Sequence, residues 1–191
     1  MLSPSTAPLV WIDCEMSGLQ ESDVLLQVAC YITSANLELL DDAGINVTIS
    51  RPKSVLDGMD EWCTRTHGST GLTAAVLAST TTVAQAEEML LRYIRAFVPE
   101  KGIALLAGNS VHADKEFLKR EMPRLVDWLH YRILDVSALK EAARRWCSED
   151  VLRGVPEKRG LHEAGLDIRE SIDEARYWRD VVFRPAKGRA E

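Results

Sequence analysis

The amino-acid sequence predicts a mixed α/β fold, one sheet with helices packed on it. Two observations carry this expectation. Extended apolar segments come first, at 9–19, 24–33 and 37–50, and turn signals rather than helical patterns separate them. From residue 103 onward, short apolar runs alternate with helical patterns. The first arrangement is that of an antiparallel meander; the second joins strands through helices. A length of 191 residues with 46% hydrophobic content suits a single domain with a full core, its body at about 9–183 between short tails.

Each element has its own signal. In the first strand, Leu9-Val10-Trp11-Ile12 runs into Asp13, Cys14 and Glu15, and Gly18 ends the run. The segment 24–33 is rich in Val, Leu, Ile and Tyr, and Ser34-Ala35-Asn36 reads as a turn. The extended chain of 37–50 is interrupted at Asp41-Asp42-Ala43-Gly44, and 52–60 reads as a loop. A helical turn is expected at 62–67, punctuated by Gly68 and Gly71. Thr82 suits the N-cap of a helix over 83–97, in which Val83, Ala86, Leu90, Ile94 and Phe97 recur at helical spacing before Pro99. Residues 103–107 form a buried strand leading into the turn Gly108-Asn109-Ser110, with a helix at about 113–120. Further helix is expected at 123–130, extended chain at 131–134, and a strongly patterned helix at 136–147. A charged loop at 148–160, with Gly154, Pro156 and Gly160, precedes a last helix from about 163 to 182, and 184–191 frays.

Composition narrows the function classes. No stretch is apolar over the length a membrane span needs. Residues 1–8 show neither a signal-peptide nor an Arg-rich transit profile, and a chain from which an organelle signal had been removed would look the same. Cys14, Cys30, Cys63 and Cys147 have no C-x-x-C spacing, so reduced thiols in a cytoplasmic-type compartment are expected, or in mitochondria if a transit segment has been removed. A net charge of −6 disfavours a protein that coats long nucleic acid, but is compatible with a small anionic ligand in a local basic pocket.

Asp13 and Glu15, two apart on a strand, project from the same face. Two neighbouring carboxylates repel, and burial worsens this unless a cation lies between them; hard divalent cations prefer such oxygen ligands. A solvated strand end that merely carries two acids is the competing reading. Asp114 falls on the first turn of the helix after the 103–107 strand, where Phe117 and Leu118 would bury the same face and aim it at the sheet edge. A surface Asp favoured by the helix dipole is the alternative there. His162 and Asp167 are five residues apart, about 140° on an ideal helix, so they converge only if His162 precedes the helix that holds Asp167.

In order, the chain thus shows Asp-x-Glu on a strand, an Asp entering a helix, and His-x4-Asp entering another. This resembles the DEDDh family of 3′-to-5′ exonucleases. Longer words sharpen the likeness: Trp11-Ile12-Asp13-Cys14-Glu15-Met16-Ser17-Gly18-Leu19, Trp62 with Thr66-His67 and Gly71-Leu72, Gly108-Asn109-Ser110, the word 130–137, the helix 139–146 and Asp167-Ile168-Arg169-Glu170-Ser171 are similar to the oligoribonucleases. The resemblance covers about 9–183 and departs at Gln27, where that family has an acid, at Leu166, where an Asp commonly precedes the obligatory one, and in the 148–160 loop.

The resemblance implies a ribonuclease H-like sheet flanked by helices, and metal-dependent hydrolysis of very short RNA, dinucleotides especially, to nucleoside 5′-monophosphates. It implies Asp13, Glu15, Asp114 and Asp167 as ligands of two divalent ions, Mg²⁺ or Mn²⁺, and His162 as general base. It further implies Leu19 as a wedge and Trp62 as a platform for the terminal bases, with Ser110, Tyr131, Arg132 and Ser137 capping the 5′ phosphate. A homodimer in which cap residues come from the neighbouring subunit is also implied. The rival readings are a DEDDh enzyme acting on DNA 3′ ends or longer RNA, and an inactive nucleic-acid-binding relative.

Overall fold

In the computed structural model, which describes residues 6–158 and 164–184, the first strand sets the architecture. β1 (Leu9–Met16) alternates faces: Val10, Ile12 and Cys14 enter one core cluster, while Leu9 and Trp11 enter another. Asp13 and Glu15 continue the second face toward the strand's end. β2 (Leu25–Thr33) and β3 (Ile45–Thr48) add antiparallel strands on one side. β4 (Leu105–Gly108) and β5 (Ile133–Asp135) add parallel strands on the other, for the order β3-β2-β1-β4-β5. The expected meander followed by helix-linked strands is the topology found.

The helices in chain order are α1 (Lys53–Asp57), α2 (Glu61–Ser69), α3 (Leu72–Ala78), α4 (Val83–Phe97), α5 (Val111–Glu121), α6 (Pro123–Trp128), α7 (Val136–Trp146), α8 (Glu149–Arg153) and α9 (Ala164–Trp178), which continues into a π-helical turn, Arg179–Phe183. α4 starts where its sequence says. Thr82 Oγ1 accepts the N–H of Gln85, and the Gln85 side chain accepts the N–H of Thr82. α4 buries Leu90, Leu91 and Ile94 completely, each burial contributing about 1.5–3 kcal/mol before entropy losses. α4, α5 and α6 cover the Val10–Ile12 face, and α7 and α9 cover the Trp11 face. The side of the sheet that carries Asp13 and Glu15 is therefore the side on which α9 lies.

Three expectations needed correction. The loop at 52–60 contains α1, and α3 follows Gly71, because Leu56, Leu72 and Val76 bury against Leu26 of β2. The extended stretch 37–50 shrinks to β3 and one bridge from Leu39 to Thr33. The charged loop at 148–160 contains α8, whose Glu149 and Asp150 stand at the positive end of the helix and Arg153 at the negative end.

Candidate active site

β1 leaves the sheet through an irregularity between Glu15 and Met16, where the register with β2 shifts. Such a bulge re-aims the strand end. The backbone it frees is satisfied from elsewhere: Leu25 N–H donates to Glu121 Oε1 at 2.7 Å, and Arg51 Nε donates to Leu25 O at 2.9 Å. Asp13 and Glu15 meet Asp167, which lies in the first turn of α9, and a carboxylate oxygen of each lies within 4.8 Å of the other two. Asp114 lies outside this trio and approaches from the opposite side of the sheet, close enough for its charge to act on Asp13 and Glu15. It is 6% exposed, on the first turn of α5 above buried Phe117 and Leu118, as its spacing predicts. Its Oδ1 accepts the N–H of Cys14 at 2.9 Å, on the peptide between the other two acids of β1. His162 lies outside the described residues.

Asp13, Glu15 and Asp114 hold their protons unusually tightly. Burial, then Asp167 and Asp114, raises Glu15 to about 7. Burial raises Asp114 to about 6, against the opposing Cys14 N–H bond. Asp13 is pushed well above the usual carboxylate range by burial and then by Asp114, Glu15 and Asp167; Lys158 pulls the other way. Four half-buried or buried acids that repel one another have the donor chemistry of a hard divalent cation site. The cluster is thus compatible with a divalent metal.

Beside it opens a cavity of about 660 Å³, whose wall includes Glu15, Leu19, Asp23, Trp62 and His67. Leu19 is 74% exposed at the tip of a tied loop. Asp23 accepts from Ser17 Oγ at 2.7 Å and from Gln20 N–H at 2.8 Å, and Gly18 approaches Asp23 so closely that a Cβ there would lie 2.4 Å from its carboxylate. Arg120 of α5 donates to the carbonyls of Glu21 and Asp23. Trp62 is half exposed on α2, which Asp60 caps through Cys63 N–H. His67, on the same helix, was not assigned a role from sequence. It is buried, its Nε2 donates to Met16 O at 2.9 Å, and its Nδ1 lies 3.8 Å from Glu15 Oε2. The word Thr66-His67 was its only trace in the sequence. Lys158 had none, since it falls in the loop whose wording departs from the family.

Ser110 and Ser137 are brought together, their hydroxyls 3.0 Å apart. Tyr131 and Arg132 form a separate exposed group: the Tyr131 ring stacks on His130 at 4.5 Å, and the Arg132 guanidinium lies 5.0 Å from the Tyr131 ring. Among the described residues no hydrogen bond or ion pair joins either one to the acids of its own chain. Two of the three departures, Gln27 and Leu166, line a separate cavity of about 340 Å³ that shares Glu15 as a wall, and Gln27 pairs with Glu15 across the sheet.

The RNase T-type exonuclease family profile matches residues 10–175. The chain is 46% identical to the mitochondrial oligoribonuclease of Mus musculus over 177 residues, 92% of this chain and 73% of that one. The chain belongs to the oligoribonuclease family of exonucleases. A bacterial family member, the oligoribonuclease of Rhodococcus jostii, is 45% identical over 181 residues, covering 94% of this chain and 90% of its own. The fold extends to more distant exonucleases. A moderately thermophilic Exonuclease I from Methylocaldum szegediense superposes with a TM-score of 0.67 at 17% identity, over 91% of this chain and 40% of that one. Pop2p of S. pombe, in a Mg²⁺- and Mn²⁺-bound form, gives 0.71 at 11% identity, over 93% and 85%. The sheet is thus of the ribonuclease H-like exonuclease type, and the protein is a nuclease. No described helix is long and apolar enough to cross a membrane.

Proposed function

We propose that the protein is a 3′-to-5′ exoribonuclease that finishes very short RNA, dinucleotides above all, to nucleoside 5′-monophosphates. The observation that supports this reading is the cluster of Asp13, Glu15 and Asp167, whose Glu15 forms part of the wall of a cavity of about 660 Å³, a volume in the small-ligand range. Asp13, Glu15, Asp114 and Asp167 would hold two divalent ions, Mg²⁺ or Mn²⁺. When bound, these would supply charge neutralisation on the phosphodiester and activation of water.

The chain's own groups do the rest. Leu19, held on its tied loop, separates the two terminal bases, and Trp62 gives one of them a stacking face that accepts any base. His162 takes the proton from the attacking water. Ser110 and Ser137 receive the 5′ phosphate, and Tyr131 and Arg132 close the pocket from a second subunit. Exposed Trp146, at 81%, and Phe183, at 63%, suit the burial of further apolar surface in such a dimer.

The test is a length series of RNA and DNA from two to about ten nucleotides, with Mg²⁺ under identical conditions. A pocket closed at the 5′ phosphate requires the dinucleotide RNA to be hydrolysed far faster than the longest strand, because each added nucleotide lacks a place. Equal efficiency across the series would favour a general exonuclease. No turnover of any member by folded protein would make it a binding relative.

A further inference from the structure

The serines assigned to the 5′ phosphate are wired to the helix that carries Asp167. Ser110 is held at φ +51°, a left-handed conformation that is strained for a residue with a side chain. Its N–H donates to Asp135 Oδ1 and to Ser137 Oγ, both at 2.9 Å. Ser137 Oγ donates to Asn109 Oδ1 at 3.0 Å. Asn109 Nδ2 donates to Ser171 Oγ at 2.8 Å and reaches Glu174 Oε2 at 3.4 Å. Ser171 Oγ donates to the carbonyl of Asp167 at 2.8 Å.

The surroundings dictate which way the Asn109 amide points. Ser171 has one hydroxyl proton, given to Asp167 O, so it can only accept from Asn109, and Glu174 is a buried carboxylate. The amide nitrogen therefore faces α9 and the amide oxygen faces Ser137. Ser137 in turn gives its single proton to Asn109, so Ser110 is the donor in the contact between the two hydroxyls. The Ser110 proton is then the one that can turn outward to a phosphate oxygen, while Ser137 stays an acceptor for the Ser110 N–H.

We propose that Asn109 is a positioning residue that couples the 5′-phosphate pocket to Asp167, so that an occupied pocket raises turnover at the acid cluster as well as affinity. This rests on the function proposed above. A phosphate that takes the Ser110 hydroxyl proton fixes this residue, whose N–H stays bonded to Ser137 Oγ, and through Ser137, Asn109 and Ser171 the relay holds the first turn of α9 in one arrangement. Displacements well under 1 Å at reacting groups change rates substantially, so a relay of this length is enough to matter.

The experiment measures kcat and KM for a 5′-phosphorylated and a phosphate-free diribonucleotide, with wild type, Asn109→Ala and Ser171→Ala, each checked by thermal melting. Ser171 reaches the two serines only through Asn109, so a purely local phosphate pocket would register its loss in KM and not in kcat. Coupling requires that Ser171→Ala reduce the kcat advantage conferred by the 5′ phosphate, by a factor within roughly 5–150, and that Asn109→Ala do the same. Either variant decides if the other fails to fold. A kcat advantage that a folded variant leaves intact, or an effect confined to KM, overturns the coupling alone. A wild-type enzyme whose kcat and KM both ignore the 5′ phosphate overturns the phosphate pocket as well.

Discussion

Asp114 accepts the Cys14 N–H while its charge acts on Asp13 and Glu15. Residue type alone suggests that replacing it with Ala would only relieve repulsion; the hydrogen bond to a buried peptide adds a cost that no sequence pattern shows. Asp114→Asn keeps an acceptor for Cys14 N–H and removes the charge, whereas Asp114→Ala leaves that N–H unpaired at about 1–3 kcal/mol. Both variants should lose turnover with Mg²⁺, and the Asn variant should melt higher than the Ala variant without metal. Near-wild-type turnover by either would remove Asp114 from the cluster. The raised acids also set a pH dependence. Between the ordinary carboxylate range and the folded values of about 6 for Asp114 and about 7 for Glu15, the folded state binds protons that the unfolded chain has released. Metal-free protein should therefore lose stability as pH rises from about 4 to about 7, by about 3 kcal/mol for Glu15 alone. Denaturant midpoints in chelator across that range check this: the slope should flatten in Glu15→Gln and with Mg²⁺ present. A midpoint that rises with pH in chelator would contradict the assigned burial.

Elements with strong local signals were legible, and those made by tertiary burial were not. α4 carries its capping box and an apolar stripe, so its residues 83–97 could be read directly. α1 and α3 are five and seven residues long, too short for periodicity to register, and exist because Leu56, Leu72 and Val76 have Leu26 to cover. The tied loop after β1 was equally hidden, since its anchor, Arg120, lies about a hundred residues away on α5. α5 thus carries Asp114 at its start and clamps the Leu19 loop near its end. Arg120→Ala removes two bonds to loop carbonyls, at 2.8 and 2.9 Å, and leaves Asp114 in place. The expected outcome is a rise in KM for dinucleotide of about fivefold, the loss of roughly 1 kcal/mol, with a smaller change in kcat. A fall in kcat at unchanged KM would show that the loop acts on the reacting groups rather than on the bases.

At the scale of the whole molecule, the stretch that includes Tyr131 and Arg132 is built to face outward. Tyr131 is 72% exposed, yet its ring is stacked on His130, its carbonyl accepts from Lys115 Nζ at 2.6 Å, and Arg132 N–H donates to His130 Nδ1 at 3.1 Å. A rigid exposed aromatic beside a guanidinium has little use to its own acids, with which it shares no bond among the described residues. A dinucleotide offers few atoms to bind, so its site gains from contacts on every side, and a two-fold dimer can deliver such a group to each site at once. The single-chain sequence carried the residue types of the proposed cap and no sign of whose site it would close. A mixed dimer decides. Asp114→Ala and Tyr131→Ala homodimers should each be poorly active. In the heterodimer, one site combines the intact acids of the Tyr131→Ala chain with the intact Tyr131 of the Asp114→Ala chain, while the other site loses both. Activity should return to about half of wild type per dimer, because one of the two equivalent sites is restored. If the cap closes its own subunit's site, every site keeps one defect and mixing restores nothing, once subunit exchange has been verified by mass.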